Sequence, residues 1–133
     1  MLKALLAVAP GISVGFYAGK LHAAPKKCPC NTETVCGDSS GVSREVLGRH
    51  SWTLLHAVAE HYPENPSKKL QKHAKAFYAA LGELYPCPDC AERFREGMRL
   101  HPPRVASRRE LKRWTSDQHN AINVLLGKPT VNP

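Results

Sequence analysis

Tyr85-Pro86-Cys87-Pro88-Asp89-Cys90 ends one helical segment and opens the next. Proline suits the first helical position, where its missing N–H would be unpaired in any case, and that makes Cys87 the N-cap. Two cysteines at this spacing can hold a disulfide that opens and closes. At a helix N-terminus, unpaired backbone N–H groups and the helix dipole stabilise a thiolate, so the pair is suited to thiol–disulfide exchange. Half of a zinc site is the other reading, and it needs two more ligands at suitable spacing. Cys28-Pro29-Cys30 is too tight for the usual knuckle and no His-x-x-x-His run lies near it, so no metal is expected. Two inert buried cysteines are the third reading.

Working outward, four segments carry helical periodicity. Residues 44–62 place Leu47, Leu54, Leu55, Val58 and Tyr62 on one face, with Arg49, Trp52 and His56 roughly opposite. Residues 68–84 carry Leu70, Ala74, Phe77, Leu81 and Leu84, after Ser67 as N-cap. Residues 88–100 carry Ala91, Phe94 and Met98. Residues 108–126 follow a capping box, Ser107-x-x-Glu110, and stop at Gly127 with Pro129 just beyond. No alternating strand pattern competes. The fold class is all-α, a small four-helix bundle.

The chain has 133 residues, 42% of them apolar, which suits one modest domain. Four of its formal +8 charges fall on Lys3, Lys20, Lys26 and Lys27, so the rest is only mildly basic. It lacks a dense Arg/Lys stripe interleaved with aromatics, so a nucleic-acid partner is not expected. Residues 4–19 are apolar and uncharged, but at roughly 16 residues the run is short for a membrane span, which needs about 20. Residues 1–24 therefore read as a targeting or anchoring segment, with small residues at Ala23-Ala24. Residues 25–43 read as a flexible arm, rich in Pro, Gly and Ser, that carries Cys28, Cys30 and Cys36. Residues 44–133 form the compact domain. Five cysteines leave at least one unpaired within a monomer, or paired between chains.

Two polar groups ask for a partner. A Trp and a His on the outer side of an amphipathic helix imply a second buried surface or a ligand, although a Trp packed on a neighbouring helix is the plainer reading. On the last helix, His119, Asn120 and Asn123 are spaced to point one way. Such a cluster is costly facing a core unless something polar fills the space, and the amides of Asn suit the edge of a heteroaromatic ring. A solvated helix face is the alternative.

Gly48-Arg49-His50-Ser51-Trp52-Thr53-Leu54-Leu55-His56, Tyr62-Pro63, Cys87-x-x-Cys90, Trp114 and His119-Asn120-x-x-Asn123-x-x-Leu126-Gly127-Lys128-Pro129 occur in order. Together they resemble the Erv/ALR family of FAD-dependent sulfhydryl oxidases over about residues 45–129. The resemblance implies a four-helix bundle with a short extra helical turn and FAD in its mouth, assembled as a homodimer. It implies that Arg49, Trp52, His56, Tyr62, His119, Asn120, Asn123 and Lys128 bind FAD. It implies that Cys90 lies against the flavin ring, that Cys87 exchanges with the incoming thiol, and that the arm cysteines Cys28, Cys30 and Cys36 shuttle electrons from protein thiol substrates. Oxygen or cytochrome c would be the acceptor. The mitochondrial intermembrane space is the expected location, with the endoplasmic reticulum or secretory pathway as the alternative. A helical binding module that has lost FAD is the rival function. One departure stands out. Ser116 and Pro133 occupy places where the family usually has two cysteines joined as a structural disulfide, so the C-terminal segment is expected to open first.

Overall fold

The computed structural model describes residues 42–132. The expectations for residues 1–24, for Cys28, Cys30 and Cys36, and for Pro133 lie outside these residues. The described chain forms four helices: α1 (Arg44–Glu60), α2 (Lys68–Leu84), α3 (Pro88–Leu100) and α4 (Arg108–Leu125). The short extra helical turn is not among them; after Leu125 the chain turns once and continues without regular secondary structure through residue 132.

Each helix starts where its capping chemistry allows. The Oγ atoms of Ser43, Ser67 and Ser107 accept hydrogen bonds from the backbone N–H groups of Val46, Leu70 and Glu110, at 3.1, 3.1 and 3.2 Å. Cys87 caps α3 without a side-chain hydrogen bond, because its sulfur is bonded to Cys90. At the end of α4, Gly127 takes the left-handed conformation with φ +66. The N–H of Lys128 then reaches the carbonyl of Asn123 at 2.8 Å, and that of Gly127 reaches Val124 at 3.2 Å. This pairing reverses the chain and satisfies carbonyls that the helix leaves open.

Helix α4 is the central element. Eight of its residues are buried, including the polar Thr115, Ser116, Gln118, Asn120 and Asn123. Helices α1 and α3 pack on it, and α2 packs on α3. Helix α2 reaches α4 through its side chains, the rings of Tyr78 and Trp114 meeting edge to face at 4.8 Å. Trp114, Tyr78 and Leu111 are fully buried, each worth about 1.5–3 kcal/mol by area. Trp114 also donates its indole N–H to the carbonyl of His101 at 2.8 Å. A buried indole needs such a partner.

The sequence reading of α1 needs correction. Its inner arc is Trp52, Leu55, Ala59 and Tyr62, with His56 turned to the same side. Leu54 is 53% exposed. Leu54 and Leu55 are adjacent, so they lie about 100° apart on the helix and cannot share one face. Trp52 and His56 therefore point into the bundle and not away from it. On α2 the core residues are Ala74 and Tyr78, while Leu70, Phe77 and Leu84 remain exposed.

Candidate functional site

A cavity of about 860 Å³ opens among α1, the start of α3 and the second half of α4. Ligand sites commonly enclose about 300–1,000 Å³. Six of the expected site residues line it together: Arg49, Trp52, His56, His119, Asn123 and Lys128. Cys90 lines it as well. Residues as far apart in sequence as His56 and His119, 63 positions, are brought to one wall because α1 lies directly on α4.

The aromatic wall is a coupled set. The Trp52 and His119 rings stack at 4.3 Å with 6° between their planes. Phe94 presents its ring to Trp52 in a T-shaped contact at 6.3 Å. His56 Nε2 lies 3.0 Å from His119 Nδ1. One of these nitrogens donates and the other accepts, so the bond exists only while at least one ring is neutral. Burial lowers the pKa of His56. Burial lowers that of His119 to about 4, helped by His56 and by the nearby Lys128. Both rings are therefore neutral near pH 7.

The polar lining is basic. Arg44, Arg49, Arg93 and Lys128 face Glu45 and Asp89, and Arg49 pairs with Glu45 at 3.0 Å. Asn123 is only 6% exposed. Its carbonyl caps the helix end, and its side chain lines the cavity.

The redox pair sits at the cavity edge. Cys87 and Cys90 form a disulfide with their Cα atoms 5.2 Å apart. Cys87 is 1% exposed, whereas Cys90 opens on the cavity. The loop before them is tied down. Ser51 gives its proton to the Leu47 carbonyl at 2.8 Å, so the Tyr85 hydroxyl donates to Ser51 Oγ at 3.0 Å. This link holds the Cys-Pro-Asp-Cys turn against α1.

Two expected residues stand elsewhere. Tyr62 is buried below the cavity and donates its hydroxyl to the carbonyl of Val105 at 3.1 Å. It closes the core between α1 and the loop before α4. Asn120 faces away from the cavity. Its Nδ2 donates to the Val131 carbonyl at 2.8 Å and its Oδ1 accepts from the Val131 N–H at 2.6 Å. Its three-residue offset from Asn123 turns it some 60° around the helix, enough to separate the two amides. Sequence reasoning missed Arg93 and Arg44. On periodicity alone they are two more exposed basic residues, and only the packing of α1 and α3 around α4 brings them to the cavity. Among the described residues no cluster of three or more metal-binding side chains occurs. No described helix is long and apolar enough to cross a membrane.

Known proteins share this fold. The FAD-binding domain of Erv1 from Saccharomyces cerevisiae superimposes with a TM-score of 0.67 at 42% identity, covering 68% of this chain and 87% of that one. The yeast Erv1 core gives 0.67 at 34% identity, over 85% and 88%. The mitochondrial FAD-linked sulfhydryl oxidase ERV1 of S. cerevisiae is 45% identical over 64% of this chain and 45% of its own length. The FAD-linked sulfhydryl oxidase ERV1 of Arabidopsis thaliana is 40% identical over 65% and 46%. The chain thus spans about half the length of these curated relatives. A model of the Erv1/Alr family matches residues 49–133, and the chain belongs to that family.

Proposed function

We propose that this protein is an FAD-linked sulfhydryl oxidase that forms disulfides in protein substrates. One observation carries the reading: a disulfide at a helix N-terminus opens, through Cys90, onto a basic and aromatic cavity that Asn123 also lines. The lining fits FAD. Trp52, His119 and Phe94 offer ring faces, Arg49, Arg93 and Lys128 suit a diphosphate, and Asn123 suits a ring edge. When bound, FAD supplies a two-electron acceptor that oxygen or a one-electron carrier such as cytochrome c can reoxidise.

The chain's own part is exchange. A substrate thiolate attacks the Cys87 sulfur and the Cys87–Cys90 bond breaks, with Cys90 leaving as thiolate. The α3 N-terminus stabilises that charge. The second substrate thiolate then attacks the mixed disulfide. The substrate leaves oxidised, and Cys87 and Cys90 are left as a reduced pair holding its two electrons. Cys87 is covered in the structure, so an incoming thiolate must first uncover it. Neutral His56 and His119 keep the cavity rim free of extra positive charge.

The arm cysteines Cys28, Cys30 and Cys36 are the proposed shuttle, residues 1–24 the targeting segment, and 44–133 the oxidase domain. Tyr62 and Asn120 support the FAD site from outside its wall. Exposed Leu70, Phe77 and Leu84, seven residues apart along α2, suit a homodimer seam. The yeast relative's mitochondrial name supports a mitochondrial location, and disulfide chemistry favours the intermembrane space there. The test is purification of the full chain. We expect bound flavin in a one-to-one ratio and dithiol-dependent oxygen consumption that Cys90→Ser abolishes while flavin stays bound. Colourless protein that takes up no added FAD would overturn the reading in favour of a non-catalytic module.

A further inference from the structure

The C-terminal strap, residues 128–132, is fastened at two points. Its first is the reversal at Gly127, where the Lys128 N–H meets the Asn123 carbonyl at 2.8 Å. Its second is Asn120, whose side-chain amide both donates to and accepts from the backbone of Val131, at 2.8 and 2.6 Å. A side-chain amide used this way stands in for a peptide unit of a neighbouring strand and recognises one residue of extended backbone. Asn120 is buried, and its two bonds run in opposite directions, so neither can be swapped for water without moving the strap.

The strap is also a wall. Lys128, Val131 and Asn132 line the cavity, whereas Asn120 does not. Asn120 therefore works on the cavity from behind, through the strap. Nothing covalent shares this duty among the described residues, because Ser116 stands, buried, on the same helix where a cross-link would begin.

We propose that Asn120 is a positioning residue whose amide latches the strap across the cavity, and that opening this latch sets how fast the bound flavin nucleotide leaves. The ligand half of this proposal rests on the FAD reading above. A ligand that rests against a wall is held in part by that wall and leaves faster when the wall moves. Among the described residues, the strap beyond the Gly127 reversal is held by side-chain hydrogen bonds from Asn120 alone.

The experiment uses the full chain as purified. Backbone hydrogen exchange is measured at Val131, and FAD release is followed by the rise in flavin fluorescence on dilution. In Asn120→Ala the Val131 amide should lose its protection, and FAD should leave roughly tenfold faster, about 1.4 kcal/mol. The absorption band of flavin still bound should keep its shape, because Asn120 does not touch it. A chain ended after Thr130 should match Asn120→Ala, and the two changes together should be no worse than either alone. Should Asn120→Ala fail to fold, the shortened chain still decides, since α4 is intact in it. Unchanged Val131 protection in Asn120→Ala would overturn the latch. So would unchanged release from the shortened chain, or additive effects of the two changes. A shifted flavin band with Val131 still protected would make Asn120 a direct ligand contact and overturn it too. A protein that binds no FAD at all would sink the oxidase reading and the release-rate half, while the Val131 exchange would still report on the latch alone.

Discussion

Asn123 and Asn120 differ by one turn of a helix and by everything they do. Asn123 lines the cavity, where its side-chain amide can reach a bound ligand. If FAD satisfies that amide, Asn123→Ala should weaken FAD binding roughly five- to tenfold, the worth of one hydrogen bond of about 1–1.5 kcal/mol. Equilibrium titration of the variant with FAD checks this, and unchanged affinity would return Asn123 to a structural role. The histidines make a second residue-scale case. The His119 pKa falls from 6.5 to about 4 on folding. The folded protein therefore resists a proton that the unfolded chain accepts. The neutral ring's contribution is complete above pH 6.5 and is lost progressively as pH falls from 6.5 toward 4. The ring is only partly buried, so solvent screening reduces the effect to the order of 1 kcal/mol. His119→Gln should flatten the fall in melting temperature across that window. An equally steep fall in the variant would assign the acid sensitivity to other groups.

At the scale of helices, two glycines test how the bundle is built. Gly97 lies on α3 where a Cβ would run into the buried Gln118 carboxamide of α4. Gln118 is buried and its amide nitrogen is engaged with the carbonyls of Gly97 and His101, so its carboxamide must give up that position to make room. Gly97→Ala should cost about 1–3 kcal/mol by overpacking, read from denaturant unfolding. Gly48 is the reverse. It sits in α1 with nothing within 4 Å of its would-be Cβ, and it lines the cavity. Gly48→Ala should stabilise FAD-free protein by about 0.5–1 kcal/mol, because Ala loses less freedom in a helix. It should also weaken FAD binding, since a methyl group then occupies cavity space. A gain in both would mean that no ligand approaches there. Helix positions were legible in the sequence, because caps and stops are local: Ser67, Ser107, Pro88 and Gly127 each mark a boundary within a residue or so of its place. Faces were less legible. Leu54 and Leu55 look equally buried to a hydropathy pattern, and only packing on α4 decides between them. The same holds for the site. Six of the expected ligand residues meet at the cavity, and the two that do not, Tyr62 and Asn120, are bonded to carbonyls of distant loops that no spacing rule reports.

The whole molecule is a small bundle whose central helix carries an unusual load of buried polar groups beside a basic cavity. Four basic side chains face two acids there. Without an anion between them, these charges oppose closure of α1 on α4; with a diphosphate between them, they favour it. FAD that binds only the folded bundle should raise its stability by about 2.7 kcal/mol at one hundred times the dissociation constant. For a domain of this size, roughly 4–8 °C accompanies each kcal/mol, so the melting temperature should rise by roughly 10–20 °C. The attraction is electrostatic in part, and the screening length shrinks from about 30 Å at 0.01 M salt to about 3 Å at 1 M. The rise at a fixed FAD concentration should therefore be larger in dilute buffer than in molar salt. FAD-free protein should move the other way and melt higher as salt screens the repulsion between Arg93 and Lys128. Calorimetry with and without FAD at both salt concentrations separates these effects. A rise that ignores salt would mean that the ring contacts carry the binding, and that the basic lining does not face the diphosphate.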